Sequence, residues 1–415
     1  MHGVSPSLAA ARRAQFPVGA SVSTEALTHD PYAVYRRLRE AEPVSWLPAL
    51  GMWYVTRYDE VLHVLLDTER FTTASDRSPI QETFGEQVLT TEGARHDRYR
   101  RAFQADFAKS RIGSTLDEVL RRLAVRLVDG FERDGTAEMR SAFASRLPIQ
   151  AVLELCGLSA DAEAAVRRWY DHFEAALANF AGDELLRANA ARAAGEFHTF
   201  LQAAIERARG TAAPSLLRTL VHAPAGDRLT DEEIRRNLAI VFFGGISTVE
   251  ALILNCLWAL SRRPELIGAA KADRALLAAI IDETIRWHGP VQSATRHARC
   301  PVTLGAAAIL EGEIVNCMLG AANRDPLVFT NPDCFVLGRP NIRKHLGFAA
   351  GPHACLGFHL ARLEAQVALE ALLARLPGFR VALAGTEAPS GYEFHQPHQL
   401  RAAWGTPAEG QAPVP

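Results

Sequence analysis

The chain has 415 residues, 48% hydrophobic and 22% charged, with a formal net charge of -2. That is enough apolar material for a sizeable core, in one large domain or two fused ones. The near-zero charge excludes a broad nucleic-acid or membrane-surface field. No apolar run is expected to reach the roughly 20 residues that cross a bilayer.

In chain order, residues 1–24 carry no long apolar stretch after their charges. They read as a frayed extension, not a signal peptide, and the expected location is cytoplasmic. "DPYAVYRRLREAEPV" reads as an amphipathic helix ended before Pro43. "VSWLPALGMWYVTRYDEVLHVLLD" reads as a hairpin followed by a helix. Residues 71–93 lack a clean period and are expected to form a long loop, a feature that is often functional. From about 95 to 263 the pattern is almost all helical.

"TDEE" is a capping box, Thr230 as N-cap and Glu233 reaching back. The helix it opens runs towards Pro264, roughly 50 Å at 1.5 Å per residue. Near its middle lies "FFGGISTVEA". Paired glycines there cost roughly 1 kcal/mol each against alanine and predict a distortion or a close approach by something bulky. Residues 266–288 read as one further helix. Short strands follow in "VTLGAAAILEGEIVNCMLGAAN", then an irregular stretch over 323–354, then a last long helix after Leu356. The tail, 406–415, reads as disordered. No internal repeat is present, and the fold class is mainly α with small β-sheets.

Six cysteines stand at 156, 256, 300, 317, 334 and 355, dispersed and without a C-x-x-C pair. That spacing fits neither a disulfide frame nor a zinc site. Five are expected to be small buried hydrophobes. Cys355 differs, because "FAAGPHACLG" places it at the mouth of a helix. Backbone N–H groups and the helix dipole there favour a thiolate. Gly351 and Gly357 let the backbone fold tightly around the sulfur. A thiolate so held is a nucleophile or a metal ligand.

"FAAGPHACLG" fits F-x-x-G-x-x-x-C-x-G and resembles the haem-binding loop of the cytochrome P-450 family, soluble bacterial type. Other matches follow in order: "ETIR" for the E-x-x-R helix motif, "RWHGPVQSATRHA" after it, "ANRDP" and "HLGFAAG" before the cysteine, "RHDRYRRAF" for a helix carrying H-x-x-x-R, and "GGISTV" for the oxygen-activating helix. The resemblance covers about residues 25–405 as one catalytic domain. It implies the cytochrome P-450 fold, with haem b (iron protoporphyrin IX) between the long central helix and the cysteine-loop helix.

The resemblance implies Cys355 as the proximal iron ligand, in a loop with Phe348, Gly351 and Gly357. It implies propionate partners at His96, Arg100, Arg296, His353 and His345, and a structural pair at Glu283 and Arg286. The arginine that usually completes that pair is replaced by Cys334, leaving Arg339 to compensate. Arg98 and Arg101 would belong to a basic patch on the cysteine side, facing an acidic ferredoxin. Ala349 stands where the loop usually has glycine, and alanine fits there if φ is negative. Thr248 is the threonine that helps deliver protons, Ser247 stands where an acid is usual, and Gly244 and Gly245 leave room over the iron. Ser247, water or the substrate would then carry the relay.

Expected pocket residues are Ile240, Phe243, Gly244, Val291, Gln292, Ala294, Phe84, Val88 and Phe394, with Leu89 and Gln396 beside them. Most are apolar, so the substrate is expected to be a mainly apolar small organic molecule. The implied reaction inserts one atom of O2 into it. No flavin or nicotinamide fingerprint is present, so electrons would come from a ferredoxin and ferredoxin reductase. A monomer is expected. The alternative is a haem-thiolate enzyme for dehydrogenation, coupling or peroxide-driven oxidation, or a non-catalytic haem sensor.

Overall fold

The computed structural model describes residues 5–75, 78–177, 183–382 and 384–405; the tail at 406–415 lies outside them. From Ser5 on, the segment expected to be frayed is ordered into helix. Ser5 caps a helix, Pro6–Gln15. Arg12 of that helix is buried and grips both oxygens of Glu313 at 2.6 and 2.9 Å. Its guanidinium also lies over the rings of Trp46 and Trp53. A bidentate pair against two aromatic faces fixes the segment to the sheet beneath it.

That sheet has five short strands: β1 (Val44–Leu47), β2 (Met52–Val55), β3 (Phe71–Thr72), β4 (Ser293–Ala298) and β5 (Ile314–Met318). Their spatial order is β1-β2-β5-β4-β3. Only the β2–β5 pair is parallel, Trp53 facing Val315. The 71–93 segment is therefore not one loop. It contains β3, a short helix Pro79–Phe84, and a 3-10 turn Val88–Thr90 closed by Gln87 and Thr90. Pieces this short carry no period to read.

The rest is mainly helical. Both bonds of the predicted capping box form: the Glu233 N–H donates to Thr230 Oγ1 at 3.2 Å, and the Thr230 N–H donates to Glu233 Oε2 at 2.8 Å. The central helix then runs over Asp231–Ser261, about 46 Å at 1.5 Å per residue. It passes unbroken through Gly244 and Gly245, so the expected distortion is absent. Contrary to the sequence expectation, this helix is long and apolar enough to cross a membrane, but 78% of its apolar window is buried inside the fold. It packs against the helices Arg146–Cys156, Ala275–Trp287 and Phe358–Arg375. The single helix expected over 266–288 is two, Pro264–Ala272 and Ala275–Trp287. They part at Asp273, whose carboxylate accepts the Ala275 N–H at 2.9 Å and so restarts the chain.

Candidate functional site

Cys355 lies in the turn that leads into the helix Phe358–Arg375. Its N–H donates to the Phe348 carbonyl at 2.9 Å, and the Ala354 N–H to that of Gly351 at 3.0 Å. Gly351 has φ +76, and a Cβ there would stand 2.6 Å from the Leu65 carbonyl oxygen, so only glycine fits. Gly357 is different. Its φ is -86, and a Cβ would meet nothing nearer than Phe107 at 3.9 Å. What it supplies is an N–H hydrogen-bonded to the Cys355 sulfur. Ala349 also departs from expectation, with φ +54, in the left-handed region.

The Cys355 side chain is deep in the fold yet borders open space. Burial raises the thiol pKa, against the Gly357 N–H and the charges of Arg100 and Arg362. The lowered pKa expected from the helix N-terminus is therefore not found, because desolvation outweighs it. A bound metal would displace that proton outright. Of the other cysteines, Cys156, Cys256 and Cys317 are buried as expected, while Cys300 and Cys334 are exposed.

Donors gather around this loop. The His96 and His353 rings are 4.5 Å apart. Arg296 Nη2 is a buried donor without a hydrogen-bond partner, and His96 Nε2 is a buried ring nitrogen without one, its Nδ1 lying 3.1 Å from Asp97 Oδ1; burial lowers the pKa of Arg100, one turn beyond His96, against the Cys355 charge. An unsatisfied buried donor of this kind fits an anionic group. The chain thus meets the requirements of a haem with two carboxylates. His353 is already engaged: its Nε2 lies 3.1 Å from Glu92 Oε2 and 3.2 Å from Thr73 Oγ1. Burial raises the Glu92 pKa, but hydrogen bonds from His353 and Thr73 and the His353 charge outweigh it, holding the carboxyl down to about 2.

His345 does not join these donors. It sits between the Gly347 N–H and the Arg362 guanidinium, each 3.2 Å away. Burial, then Arg362, lowers its pKa to about 4, so it is a neutral wedge under the loop. Arg98 and Arg101 form no free patch either. Arg98 bonds both oxygens of Glu233 at 2.7 and 3.0 Å, and Arg101 lies 3.9 Å from Asp227. Both face the start of the central helix.

Glu283 and Arg286 are buried and doubly bonded, at 2.6 and 2.8 Å. Arg339 does complete the network, its Nε 3.0 Å from Glu283 Oε1. Cys334 takes part only through its backbone carbonyl, which accepts from Arg286 and Arg339, 2.8 Å each.

On the central helix, Thr248 Oγ1 donates to the Gly244 carbonyl at 2.6 Å. A Cβ on Gly244 would touch nothing within 4 Å, whereas one on Gly245 would stand 3.1 Å from Val152. Gly244 alone opens a space; Gly245 lets the neighbouring helix come close. Ser247 is buried and points to another side, beside the Tyr170 hydroxyl.

The pocket residues divide. Phe84, Phe243 and Phe394 join one aromatic wall: Phe84–Phe243 are 5.5 Å apart and Phe243–Phe394 5.9 Å. Tyr170 and Phe173, which carry no motif, complete it. Val291 pairs with Phe394 as a bridge. Ala294 is half-buried, and Ile240 is buried on the central helix. The Val88 N–H is tied to Asn237. Gln292 does not face the wall. It is fully buried, donating to the Gly289 carbonyl at 2.7 Å and to the Tyr32 hydroxyl at 3.2 Å, so it is structural. Glu92, Arg362, Tyr170 and Glu174 were not singled out by the sequence, since their partners lie far away along the chain.

A mainly helical fold whose long central helix packs on the helix leaving a cysteine loop is the cytochrome P450 fold. Residues 44–393 match the family model described as Cytochrome P450, and the chain belongs to the cytochrome P450 family, the oxidoreductases that act as haem-thiolate monooxygenases. It is 34% identical over 365 residues, 84% of each chain, to cytochrome P450 monooxygenase PikC of Streptomyces venezuelae. Among solved structures, it resembles cytochrome P450 CREJ in complex with (4-ethylphenyl) dihydrogen phosphate at TM-score 0.84 and 27% identity, covering 93% of this chain and 100% of that one. It resembles P450BioI in complex with a hexadec-9Z-enoic acid ligated acyl carrier protein at TM-score 0.84 and 26% identity, covering 92% and 100%.

Proposed function

We propose that this chain is a haem b monooxygenase that inserts one atom of O2 into a mainly apolar small organic substrate. Electrons would come from a separate ferredoxin and its reductase. The catalytic unit is residues 25–405, working as a cytoplasmic monomer. When bound, the haem supplies dioxygen activation, and thiolate ligation favours O–O cleavage. The observation that carries this reading is the unpaired Arg296 donor and the unpaired His96 ring nitrogen near a cysteine whose sulfur already accepts the Gly357 N–H.

In this reading Cys355 is the metal ligand, and His96, Arg100 and Arg296 hold the carboxylates. His353 sets the edge of that group through its bond with Glu92. Gly244 keeps space open on the central helix, and Thr248 orients its hydroxyl there. The aromatic wall of Phe84, Tyr170, Phe173, Phe243 and Phe394 excludes water and receives the apolar substrate. Its breadth favours a ligand with flat or branched apolar bulk over a hydrophilic one.

The test is the absorption spectrum of reduced, carbon-monoxide-bound protein, wild type and Cys355→Ser. A strongly red-shifted Soret band lost in the variant supports thiolate ligation. A band at the ordinary position in wild type refutes it. Compounds that shift the iron spin state then define the substrate class, and turnover with a ferredoxin pair, outpacing peroxide, supports the monooxygenase assignment.

A further inference from the structure

The bend that carries Phe394 is tied to the central helix by one side chain. Asn255 lies on that helix and is fully buried. Its Nδ2 donates to the His395 carbonyl at 2.8 Å and to the His288 carbonyl at 2.9 Å. Two carbonyls accept from one nitrogen, so chemistry fixes the orientation of the amide: turned over, its oxygen would face them both. Oδ1 is then left buried without a partner. A side chain that gives up one bond to make the other two is placed there for its N–H groups.

His288 ends the E-x-x-R helix, Ala275–Trp287, and His395 follows Phe394 directly. The two segments are also laced to each other. The His395 N–H donates to the Pro290 carbonyl at 2.8 Å, and the Gln292 N–H to that of Glu393 at 2.9 Å. Val291 and Phe394 form the bridge between them. The His288 and His395 rings stack at 5.3 Å, and Tyr32 stands edge-on to both, at 4.9 and 5.4 Å. Asn255 joins both segments of this assembly to the central helix. From that fixed point Phe394 reaches back to Phe243, the rings 5.9 Å apart at 76°. Phe243 lies on the same helix as Asn255, about 18 Å away along its axis.

We infer that Asn255 is a positioning residue: it fixes the stand-off of Phe394 from the central helix and so sets which apolar bulk the pocket accepts. The inference rests on the reading of the aromatic wall as the substrate pocket. Losing the amide leaves two buried carbonyls unbonded, and the bend shifts to find other donors. Phe394 shifts with it, because it is joined directly to the residue whose carbonyl was held. An aromatic ligand packed on that ring then loses a contact worth about 2- to 10-fold in affinity. A ligand too small to reach the wall loses nothing.

The haem-loaded ferric protein tests this with two iron-ligating probes, imidazole and N-phenylimidazole, whose binding is read from the Soret shift. In Asn255→Ala the dissociation constant of N-phenylimidazole should rise about 2- to 10-fold, with that of imidazole unchanged. Phe394→Ala should do the same, and Asn255→Ala should add nothing in the Phe394→Ala background. Hydrogen–deuterium exchange, which needs no probe, should quicken in the segments 288–292 and 393–396 and not along the central helix. Asn255→Ser keeps one donor. It should fall between wild type and Asn255→Ala in both measurements, and it carries the test if Asn255→Ala does not fold. Equal weakening of both azoles, full additivity with Phe394→Ala, or faster exchange with unchanged N-phenylimidazole affinity overturns the positioning role. Unchanged exchange in the two segments overturns the tie itself. If Phe394→Ala alone leaves N-phenylimidazole binding unchanged, the pocket reading fails and this inference falls with it, while the exchange measurement still reports on Asn255.

Discussion

Two neighbouring positions of the cysteine loop should respond to glycine–alanine exchange with opposite sign. Ala349 has φ +54 and Gly351 φ +76. An L-residue in this region costs roughly 1–2 kcal/mol. Ala349→Gly removes that cost but frees the unfolded chain by about 0.5–1 kcal/mol. It also gives up part of a half-buried methyl, a fraction of about 0.8 kcal/mol. The expected net effect is a gain between zero and about 1 kcal/mol. Gly351→Ala adds the left-handed cost and places Cβ 2.6 Å from a backbone oxygen, that of Leu65. Backbone must shift, which costs about 1–3 kcal/mol more, for a net loss of about 2–5 kcal/mol. Unfolding entropy for 415 residues is about 0.9 kcal/mol per K, so even 3 kcal/mol moves Tm by only about 3 °C. Urea unfolding, read at the haem Soret band and by far-UV circular dichroism, is the better assay. If Ala349→Gly destabilises as much as Gly351→Ala, the left-handed conformation at 349 is wrong and the argument fails.

Arg339→Met should cost about 3–5 kcal/mol in urea unfolding, because it strips one charge partner from buried Glu283; Cys334→Ala should be near neutral. Gly244→Ala should stabilise by roughly 1 kcal/mol through helix propensity, while weakening spin-state shifts by bulky ligands, since the new methyl enters the open space. Glu92 has a folded pKa below its unfolded value, so its stability is present above about pH 4.5 and is lost as pH falls towards about 2; Glu92→Gln should flatten that part of an acid-unfolding curve. Glu364 has the reverse sign. It is fully buried, Oε2 has no partner, and desolvation raises its pKa well above normal. Above pH 4.5 the unfolded state ionises first, so each pH unit costs about 1.4 kcal/mol. Glu364→Gln should therefore gain stability more at pH 8 than at pH 5 in the same urea assay.

What could be read from the sequence was whatever is local. The capping box and the Glu283–Arg286 pair each lie within ten residues of chain and are found as expected, and the cysteine loop leads into its helix as expected although Ala349 and the thiol pKa depart from the reading. The misreadings have two physical sources. One is backbone conformation that residue type does not reveal: alanine at a left-handed position, or a glycine with an ordinary negative φ at 357, looks the same in one-letter code. The other is partnership across the fold. Nothing in "ARHDRYRR" says that Arg98 will meet Glu233, or that His353 will be met by Glu92 before anything else reaches it.

Gln292 shows how adjacency misleads. It follows the E-x-x-R helix beside pocket positions, yet its amide is turned into the Tyr32 layer and bonded to the Gly289 carbonyl. Ser247 is the opposite case. Sequence alone shows a missing acid, which reads as a loss. Only the fold shows that Ser247 is buried beside the Tyr170 phenol of the helix Glu163–Leu177 and not in the space at Gly244. A departure from a family pattern at one position is thus a question about the neighbours of that position in space, and here that neighbour is 77 residues earlier in the chain, at Tyr170.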